Sequence, residues 1–419
     1  HCIFVYIVKK EEDIMKKFNK FLSVAVASAM VMAMAGCGNT DNGSAATGTN
    51  AATESAAASD SAASGSVFKI GGIGPTTGGA AVYGLAVQHG AEIAVEEINA
   101  AGGINGYQVE FKFQDDEADA EKSVNAYNAL KDWGAQIIDG STTSGACIAV
   151  TDKTKEDNMF QITPSGSAVE CVQYDNNFRV CFSNPNQGLA SAQYIGENGL
   201  AEKIAVIYDS SDVYSSGIYE KFAKEAENQP FEIVAAEAFT ADNKTDFSVQ
   251  LQKAKDAGAD MVFLPIYYQE SALILTQAAA MGYAPKWFSC DGMDGILGGV
   301  DNFDVSLTEG VMLLTPFAAD ATDDLTQSFV TKYKEKYGDT PNQFAADSYD
   351  AIYVIKAAIE KSGVTPDMSV SDICDGMKAA MTEITVDGLT GNGMTWTADG
   401  EANKAPKAVV IENGAYKAM

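Results

Sequence analysis

Histidine is almost absent from this chain of 419 residues, which contains only His1 and His89. A Ser or Cys catalytic triad of the ordinary kind needs a histidine base. His89 lies among small and apolar residues of a predicted helix, and we interpret it as a partly exposed structural residue. The sequence also lacks a Walker loop and a Gly-x-Ser-x-Gly motif. We therefore predict no catalytic residue and no enzymatic activity.

Cysteines are few and do not occur at the spacings of a metal site. We predict no metal ion. Cys171 and Cys181 flank a predicted turn and could form a hairpin disulfide in an oxidising compartment. The odd number of cysteines after Cys37 leaves at least one free thiol in a monomer, and the sequence leaves both possibilities open for this pair. These later cysteines are Cys147, Cys171, Cys181, Cys290 and Cys374.

Basic residues are also scarce, because 57 Asp and Glu stand against 28 Lys and Arg and give a formal net charge of −29. This charge argues against a nucleic-acid partner. A dinucleotide fingerprint is incomplete: Gly72 and Gly74 have suitable spacing, but the third glycine falls at Gly78, one position too late. We therefore predict no cofactor.

Only one long hydrophobic run is present, at residues 21–36, and it follows a basic segment that begins at Met15. We interpret residues 1–36 as an upstream extension followed by a signal peptide. Met34-Ala35-Gly36-Cys37 resembles a lipoprotein box, so we predict that Cys37 carries a lipid. Residues 37–66 are rich in Gly, Ala, Ser, Thr, Asn and Asp and predict a flexible tether. A cysteine without any such role would leave this segment unexplained. We expect an extracytoplasmic protein that a lipid holds at the cell membrane.

Strands and helices alternate from residue 67 onward, which is typical of an α/β fold with parallel sheets. The predicted strands are 67–71, 107–115, 204–209, 231–239 and 260–264. The predicted helices are 83–100, 118–133, 216–228, 247–257 and 271–281.

Two further strands, 136–139 and 160–163, each run into a segment of small hydroxyl residues and glycine that we expect to open a helix. Free backbone N–H groups at a helix start and nearby hydroxyls bind a carboxylate or phosphate well. The alternative is that the serines only cap their helices. The serines concerned are Ser141, Ser144, Ser165 and Ser167.

An acidic residue ends another predicted strand, in the segment Trp287 to Gly292. The carboxyl edge of a sheet is where α/β proteins bind ligands, so Asp291 could hold a cation there. It could equally cap the next helix. Together with an anion site on a facing lobe, Asp291 favours a receptor for a zwitterion.

Several motifs together resemble one family. They are Gly74-Pro75, the segment Ala94 to Gly106 with Ile-Asn-Ala-Ala-Gly-Gly-Ile-Asn-Gly, Gln114-Asp115-Asp116, Asp139-Gly140-Ser141 and Ile162-Thr-Pro-Ser-Gly-Ser. From residue 68 to residue 414 the chain is similar to the leucine/isoleucine/valine-type substrate-binding proteins of ABC transporters. The resemblance implies a type I periplasmic-binding fold, in which three crossovers join two doubly wound parallel-sheet lobes that close on a ligand.

The resemblance also implies boundaries for the two lobes. The first lobe would comprise residues 67–183 and 317–389, and the second residues 184–316 and 390–419. Pro185 and Pro316 suit crossovers, because proline restricts its own φ angle and favours extended chain before it.

The ligand-binding residues follow from the same resemblance. Ser144, Ser165 and Ser167 match positions that hold an α-carboxylate, and Asp291 matches the position of a carboxylate that holds the α-ammonium, where branched-chain binders have Glu. Thr142 and Thr143 stand where those binders have more apolar residues, so the bound amino acid stays open. The other matched positions in the cleft are Tyr83, Tyr214, Tyr267 and Phe344.

We therefore predict a solute receptor that captures an amino acid and delivers it to the membrane subunits of an ABC permease. The expected protein is a monomer that meets the membrane through its lipid alone. The alternatives are a sensing module of the same fold that signals to a membrane partner, and a receptor for a small carboxylate or amide that is not an amino acid.

Overall fold

Two separate β-sheets organise the chain, and helices pack against both of them. The computed structural model describes residues 65–419. The predicted signal peptide, Cys37 and nearly all of the predicted tether lie outside the described residues. The predicted α/β fold with two lobes is confirmed. We call the lobe around the five-stranded sheet the first lobe and the lobe around the seven-stranded sheet the second lobe.

The first sheet has the strand order β2-β1-β3-β4-β5, and every neighbouring pair is parallel. In β3 and β4, Ile138 lies opposite Gln161 and Asp139 opposite Ile162. The hydroxyl-rich segments that follow these two strands therefore leave the sheet at the same edge. The strands are β1 (Phe68–Gly74), β2 (Val109–Asp115), β3 (Ile137–Asp139), β4 (Phe160–Thr163) and β5 (Asn177–Arg179).

The second sheet has the order β12-β11-β10-β9-β8-β6-β7. It is parallel from β6 to β10, and β11 runs antiparallel to β10 and to β12, an edge that the prediction of parallel-sheet lobes did not include. Asn413 and Gly414 join β11 to β12 with φ angles of 53° and 72°, which suit a tight hairpin turn. The strands are β6 (Lys203–Asp209), β7 (Glu232–Phe239), β8 (Met261–Leu264), β9 (Lys286–Ser289), β10 (Met312–Thr315), β11 (Lys407–Glu412) and β12 (Ala415–Ala418).

Ten α-helices lie within residues 65–419, and none of these ten is long and apolar enough to cross a membrane. Local sequence signals explain where many of these helices begin and end. For example, the Asp119 side chain caps the start of α2, and Gly134 ends this helix with a φ angle of 93°. The helices are α1 (Ala81–Ala100), α2 (Ala120–Trp133), α3 (Ser144–Asp157), α4 (Asn184–Glu197), α5 (Val213–Ala226), α6 (Ser248–Asp256), α7 (Tyr268–Ala280), α8 (Asp324–Tyr337), α9 (Gln343–Ser362) and α10 (Val370–Met381).

The chain passes between the lobes three times. It leaves the first sheet after β5, returns after β10 to pack α9 and α10 against the first lobe, and joins the second sheet again at β11. Helices α1 and α9 pack so closely that a Cβ atom at Gly90 would lie 2.0 Å from the carbonyl oxygen of Ala345. This close packing makes α9 an integral part of the first lobe.

The cysteines of the described residues are all buried free thiols, so of the two possibilities that the sequence left open for Cys171 and Cys181 the structure has the unbridged one. The Cys171 thiol points toward the first turn of α3 and lies 3.7 Å from the carbonyl oxygen of Ser144. Cys181 follows the end of β5, and the buried Arg179 lies close to both thiols.

Candidate functional site

A small cavity lies between the lobes, at the edge where β3, β4 and β9 end. Seven of the eight predicted ligand-binding residues line it, and Ser167 is fully buried beside them. Gly292 and the two threonines of the α3 loop complete the lining. The predicted residues at the cavity are Tyr83, Ser144, Ser165, Tyr214, Tyr267, Asp291 and Phe344.

Two hydroxyls of the first lobe have no hydrogen-bond partner, Thr143 Oγ1 and Ser167 Oγ. Thr143 is the N-cap residue of α3, but its side chain makes no capping bond. A buried hydroxyl without a partner is costly, and such a group in a cleft is suited to a ligand atom. Thr143 and Ser167, together with Ser144 and Ser165, form what we call the hydroxyl cradle.

The other two hydroxyls of the cradle hold its loops together. Ser144 Oγ accepts hydrogen bonds from the backbone N–H groups of Ser167 (3.2 Å) and Ala168 (3.1 Å). Ser165 Oγ donates to the carbonyl oxygen of Thr142 at 2.6 Å. These bonds cross from one loop to the other, and neither serine side chain caps the helix of its own loop. The cradle is thus a pre-formed unit.

The two loops of the cradle lead into different secondary-structure elements. The loop after β3 leads into α3, whose four turns place a full helix N-terminus at the cavity. The loop after β4 leads only into a single 3-10 turn, Val169–Val172. The prediction that both loops open a helix is therefore correct for the first and wrong for the second, which contributes hydroxyl and backbone groups without a macrodipole.

Asp291 provides the negative charge on the opposite lobe. It follows β9 and is 4% exposed. Tyr214 donates its hydroxyl to Asp291 Oδ1 at 2.6 Å, and Gln187 Nε2 donates to Oδ2 at 2.9 Å. Burial raises the pKa of Asp291 to about 7, although these two hydrogen bonds act in the opposite direction. Asp291 is the first residue of a single 3-10 turn, Asp291–Met293, and Tyr214 and Gln187 hold its carboxylate beside the cavity.

Gln187 is a site residue that the sequence did not reveal. It lies on α4, is fully buried, and has Asp291 as the partner of its amide. A single glutamine on a helix has no pattern that distinguishes it from a surface residue. Gln187 has a role only because it faces the residues that follow β9, where it orients the Asp291 carboxylate.

Aromatic rings form the remaining walls. The Tyr83 ring lies 4.4 Å from that of Phe344 and 5.6 Å from that of Tyr267, measured between centroids, and Tyr214 stacks on Tyr267 at 4.9 Å. The hydroxyls of Tyr83 and Tyr214 donate to the protein itself, to the Gly292 carbonyl and to Asp291. These walls therefore present carbon atoms to a ligand.

Thr142 is less polar toward the cavity than its sequence suggests. Its hydroxyl donates to the carbonyl oxygen of Ile73 at 3.2 Å. A Cβ atom at Gly74 would lie 2.1 Å from this hydroxyl oxygen, so glycine is required beside it. The hydroxyl of Thr142, which lines the cavity, is therefore already engaged by the backbone.

Direct hydrogen bonds join the lobes around the cavity. The Tyr83 hydroxyl, from α1, donates to the Gly292 carbonyl of the second lobe. Gln343, the first residue of α9, donates Nε2 to the Asp291 carbonyl at 3.0 Å and its backbone N–H to Asp294 Oδ2 at 3.1 Å. The structure is therefore a closed state, in which each lobe contacts the other beside the predicted ligand-binding residues.

We expect Tyr83→Phe to weaken ligand binding by about five- to 150-fold, because it removes two interlobe hydrogen bonds of about 0.5 to 1.5 kcal/mol each, one to the Gly292 carbonyl and one from the Tyr268 backbone N–H, and keeps the ring. Isothermal titration calorimetry measures the change. Tyr333→Phe is the matched control, since the hydroxyl of Tyr333 lies 3.2 Å from His89 Nδ1, away from the cleft. Equal affinities for Tyr83→Phe and wild type would show that these contacts do not stabilise the closed state.

Within residues 65–419, no three His, Cys, Asp or Glu side chains are grouped so that they could hold a metal ion. His89 is half-buried and stacks on Tyr337 with ring centroids 3.6 Å apart. Its contacts are those of a packing residue.

Comparison with known proteins assigns the family. The family model described as periplasmic binding protein matches residues 67–415. The chain is 30% identical over 300 residues to Leu/Ile/Val-binding protein homolog 3 of Brucella melitensis, covering 71% of this chain and 80% of that protein. It is also 30% identical over 302 residues to the leucine-, isoleucine-, valine-, threonine-, and alanine-binding protein of Pseudomonas aeruginosa, covering 70% and 78%.

Solved structures agree. The substrate-binding protein LivJ of Streptococcus pneumoniae, in complex with isoleucine, is 28% identical with a TM-score of 0.76, covering 84% of this chain and 98% of that one. The leucine-binding protein LivK of Thermotoga maritima is 27% identical with a TM-score of 0.74 and the same coverage. With two lobes that close on a lined cavity and a family match over nearly all described residues, the chain belongs to the periplasmic binding protein family.

Proposed function

We propose that this protein is an extracytoplasmic receptor that captures an amino acid between its lobes and delivers it to an ABC permease. One observation carries the proposal. Asp291, a buried carboxylate whose pKa is raised to about 7, lines the cavity together with Thr143, whose buried hydroxyl at the start of α3 has no partner, and the unpartnered hydroxyl of Ser167 lies beside them. This arrangement complements the two charges of an amino-acid backbone.

The ammonium group pairs with Asp291. Tyr214 and Gln187 hold this carboxylate in place, and its burial makes a cationic partner more valuable than it would be in water. An uncharged ligand would leave the carboxylate buried without a counter-charge. A ligand that carries an ammonium is therefore favoured over a simple carboxylate or amide.

The carboxylate group of the ligand lies in the hydroxyl cradle. Thr143 Oγ1 and Ser167 Oγ donate to it, and the free backbone N–H groups at the start of α3 add the positive end of the helix dipole. Ser144 and Ser165 keep the two loops at the required spacing. The four residues thus act as one anion site with distinct roles.

The side chain of the ligand meets the aromatic walls and Thr142. These surfaces suit an aliphatic side chain, since the polar groups beside them already have partners in the protein. The names of both relatives state leucine, isoleucine and valine binding, which supports this assignment, and one of them also states threonine and alanine binding. We propose that the ligand is an aliphatic L-amino acid.

A thermal-shift screen of the twenty L-amino acids, followed by calorimetry on those that raise Tm, tests the assignment. We expect aliphatic amino acids to give the largest increases, and the matching carboxylic acids without an amino group to give none. A larger increase with those acids than with any amino acid would contradict the proposal and favour a small carboxylate as ligand.

The affinity should depend on pH through Asp291. The pKa of this carboxyl is about 7 in the protein without ligand, and the ligand's ammonium pairs only with its ionised form, so protons compete with the ligand. We expect affinity to be highest near pH 7.5 and to fall toward pH 5, approaching tenfold per pH unit. Calorimetry across this range measures the slope. An equally steep slope in Asp291→Asn would assign the effect to another group.

Anchoring and domain limits complete the proposal. We propose that Cys37 is lipidated, that residues 37–66 tether a monomer to the membrane, and that the lobes exchange chain near residues 183, 316 and 389. Membrane fractionation of the wild type and Cys37→Ala should find the wild type with the membranes and the variant in the soluble fraction. Identical partitioning of both proteins would exclude the lipid anchor.

A further inference from the structure

Two thiols lie together beneath the hydroxyl cradle. Cys147 and Cys171 are both fully buried, and with Ala168 they form a small cluster that is separate from the main cores. Cys147 is on the first turn of α3, where its backbone N–H donates to the Thr143 carbonyl at 2.8 Å. Cys171 is on the 3-10 turn after β4. Each thiol thus belongs to one of the two elements that follow the cradle loops.

Their surroundings make the two thiols unequal. The Cys171 thiol, as a hydrogen-bond partner, lowers the pKa of Cys147, and the Thr163 hydroxyl and the buried Arg179 charge act in the same direction. Gln161 Nε2 also lies 3.6 Å from Cys147 Sγ. Burial raises the pKa of Cys171 well above its usual value. A thiol with a lowered pKa beside one with a raised pKa favours disulfide exchange, because the thiolate is the attacking species.

We propose that Cys147 and Cys171 form an intramolecular disulfide in an oxidising compartment, which ties α3 to the 3-10 turn and fixes the two halves of the hydroxyl cradle. The oxidant is a small disulfide such as oxidised glutathione. Cys147 as thiolate attacks one of its sulfurs and releases one glutathione thiolate, giving a mixed disulfide. Cys171 then loses its proton to solvent and attacks Cys147 Sγ, which forms the Sγ–Sγ bond and releases the second glutathione thiolate. Two protein thiols are oxidised and one disulfide is reduced.

The test uses the full-length chain, unfolded, reduced and refolded in a buffer of reduced and oxidised glutathione, so that burial does not limit access. The refolded monomer is isolated by gel filtration, alkylated under denaturing conditions, digested and mapped by mass spectrometry. We expect a cross-linked peptide pair that contains Cys147 and Cys171. Alkylation of both cysteines in the refolded protein, or a link from Cys171 to Cys181, would overturn the proposal.

Two variants sharpen the result. Cys181→Ala is the matched control and should retain the bridge, because its thiol lies outside the pair. Cys171→Ala removes the second step and should leave Cys147 alkylated or as the glutathione mixed disulfide. A Cys147 cross-link to another cysteine in Cys171→Ala at the wild-type yield would show that the pair has no special reactivity. If a variant does not refold, the wild-type peptide map alone decides.

Discussion

Replacing Asp291 by asparagine is expected to weaken amino-acid binding by at least tenfold. The substitution keeps the shape of the side chain and removes its charge, so the ligand's ammonium is enclosed without a counter-ion. Removing one partner of a desolvated charge pair costs on the order of 2 to 5 kcal/mol, which corresponds to roughly thirty- to several-thousand-fold in affinity. The protein without ligand should keep its Tm, because the buried charge of Asp291 does not stabilise the fold.

Calorimetry with the best ligand of the thermal-shift screen measures this loss. Asp260→Asn is the matched control: Asp260 is an exposed carboxylate of the same lobe that accepts hydrogen bonds from the backbone of Glu202 and Lys203. It should leave affinity unchanged. If Asp291→Asn binds the native ligand as tightly as the wild type, the ammonium is held elsewhere and the orientation of the ligand that we propose is wrong.

Replacing Lys404 by methionine is expected to cost about 3 to 5 kcal/mol of folding free energy. Lys404 Nζ lies 2.6 Å from Asp347 Oδ1, and the two side chains are only 1% and 2% exposed. The lysine charge also acts on the neighbouring buried Asp350. Methionine fills a similar volume but leaves these carboxylates without a cation, which is far less favourable than a buried pair.

Urea denaturation followed by circular dichroism measures the change. The double variant Lys404→Met/Asp347→Asn removes both charges of the pair and should recover part of the loss. Lys224→Met is the surface control, because the Lys224–Glu227 pair is 73% and 64% exposed and such pairs contribute little. A denaturation midpoint for Lys404→Met equal to that of the wild type would mean that water or another cation reaches the two carboxylates.

Local patterns were sufficient for most of the fold. Strand 160–163 was predicted with its observed limits, and predicted helix 83–100 differs by two residues at its start. The antiparallel edge was not predicted, although the Asn413-Gly414 signal for a hairpin is present in the sequence. Alternating strands and helices favour a parallel sheet. Our prediction followed this general tendency and did not use the local turn signal.

The sequence predicted the site less well where the role of a residue depends on the groups that its side chain contacts. Seven of the eight ligand residues carried over by resemblance line the cavity, but the hydroxyl of Ser144 bonds to backbone groups of the facing loop. Gln187 and the proximity of Cys147 to Cys171 depend on contacts between distant segments. The periodicity of the sequence carries no information about such contacts, so they can be recognised only in the folded structure.

The contacts of Gln343 have a consequence for selectivity. This residue joins the lobes through the Asp291 backbone carbonyl and the Asp294 side chain, and it is not part of the cavity lining. Its bonds, like those of Tyr83, therefore stabilise the closed conformation, and apparent affinity scales with the fraction of molecules in that conformation for every ligand alike. Sequence changes at Gln343 would shift the working concentration range of the receptor while the rank order of its ligands stays the same.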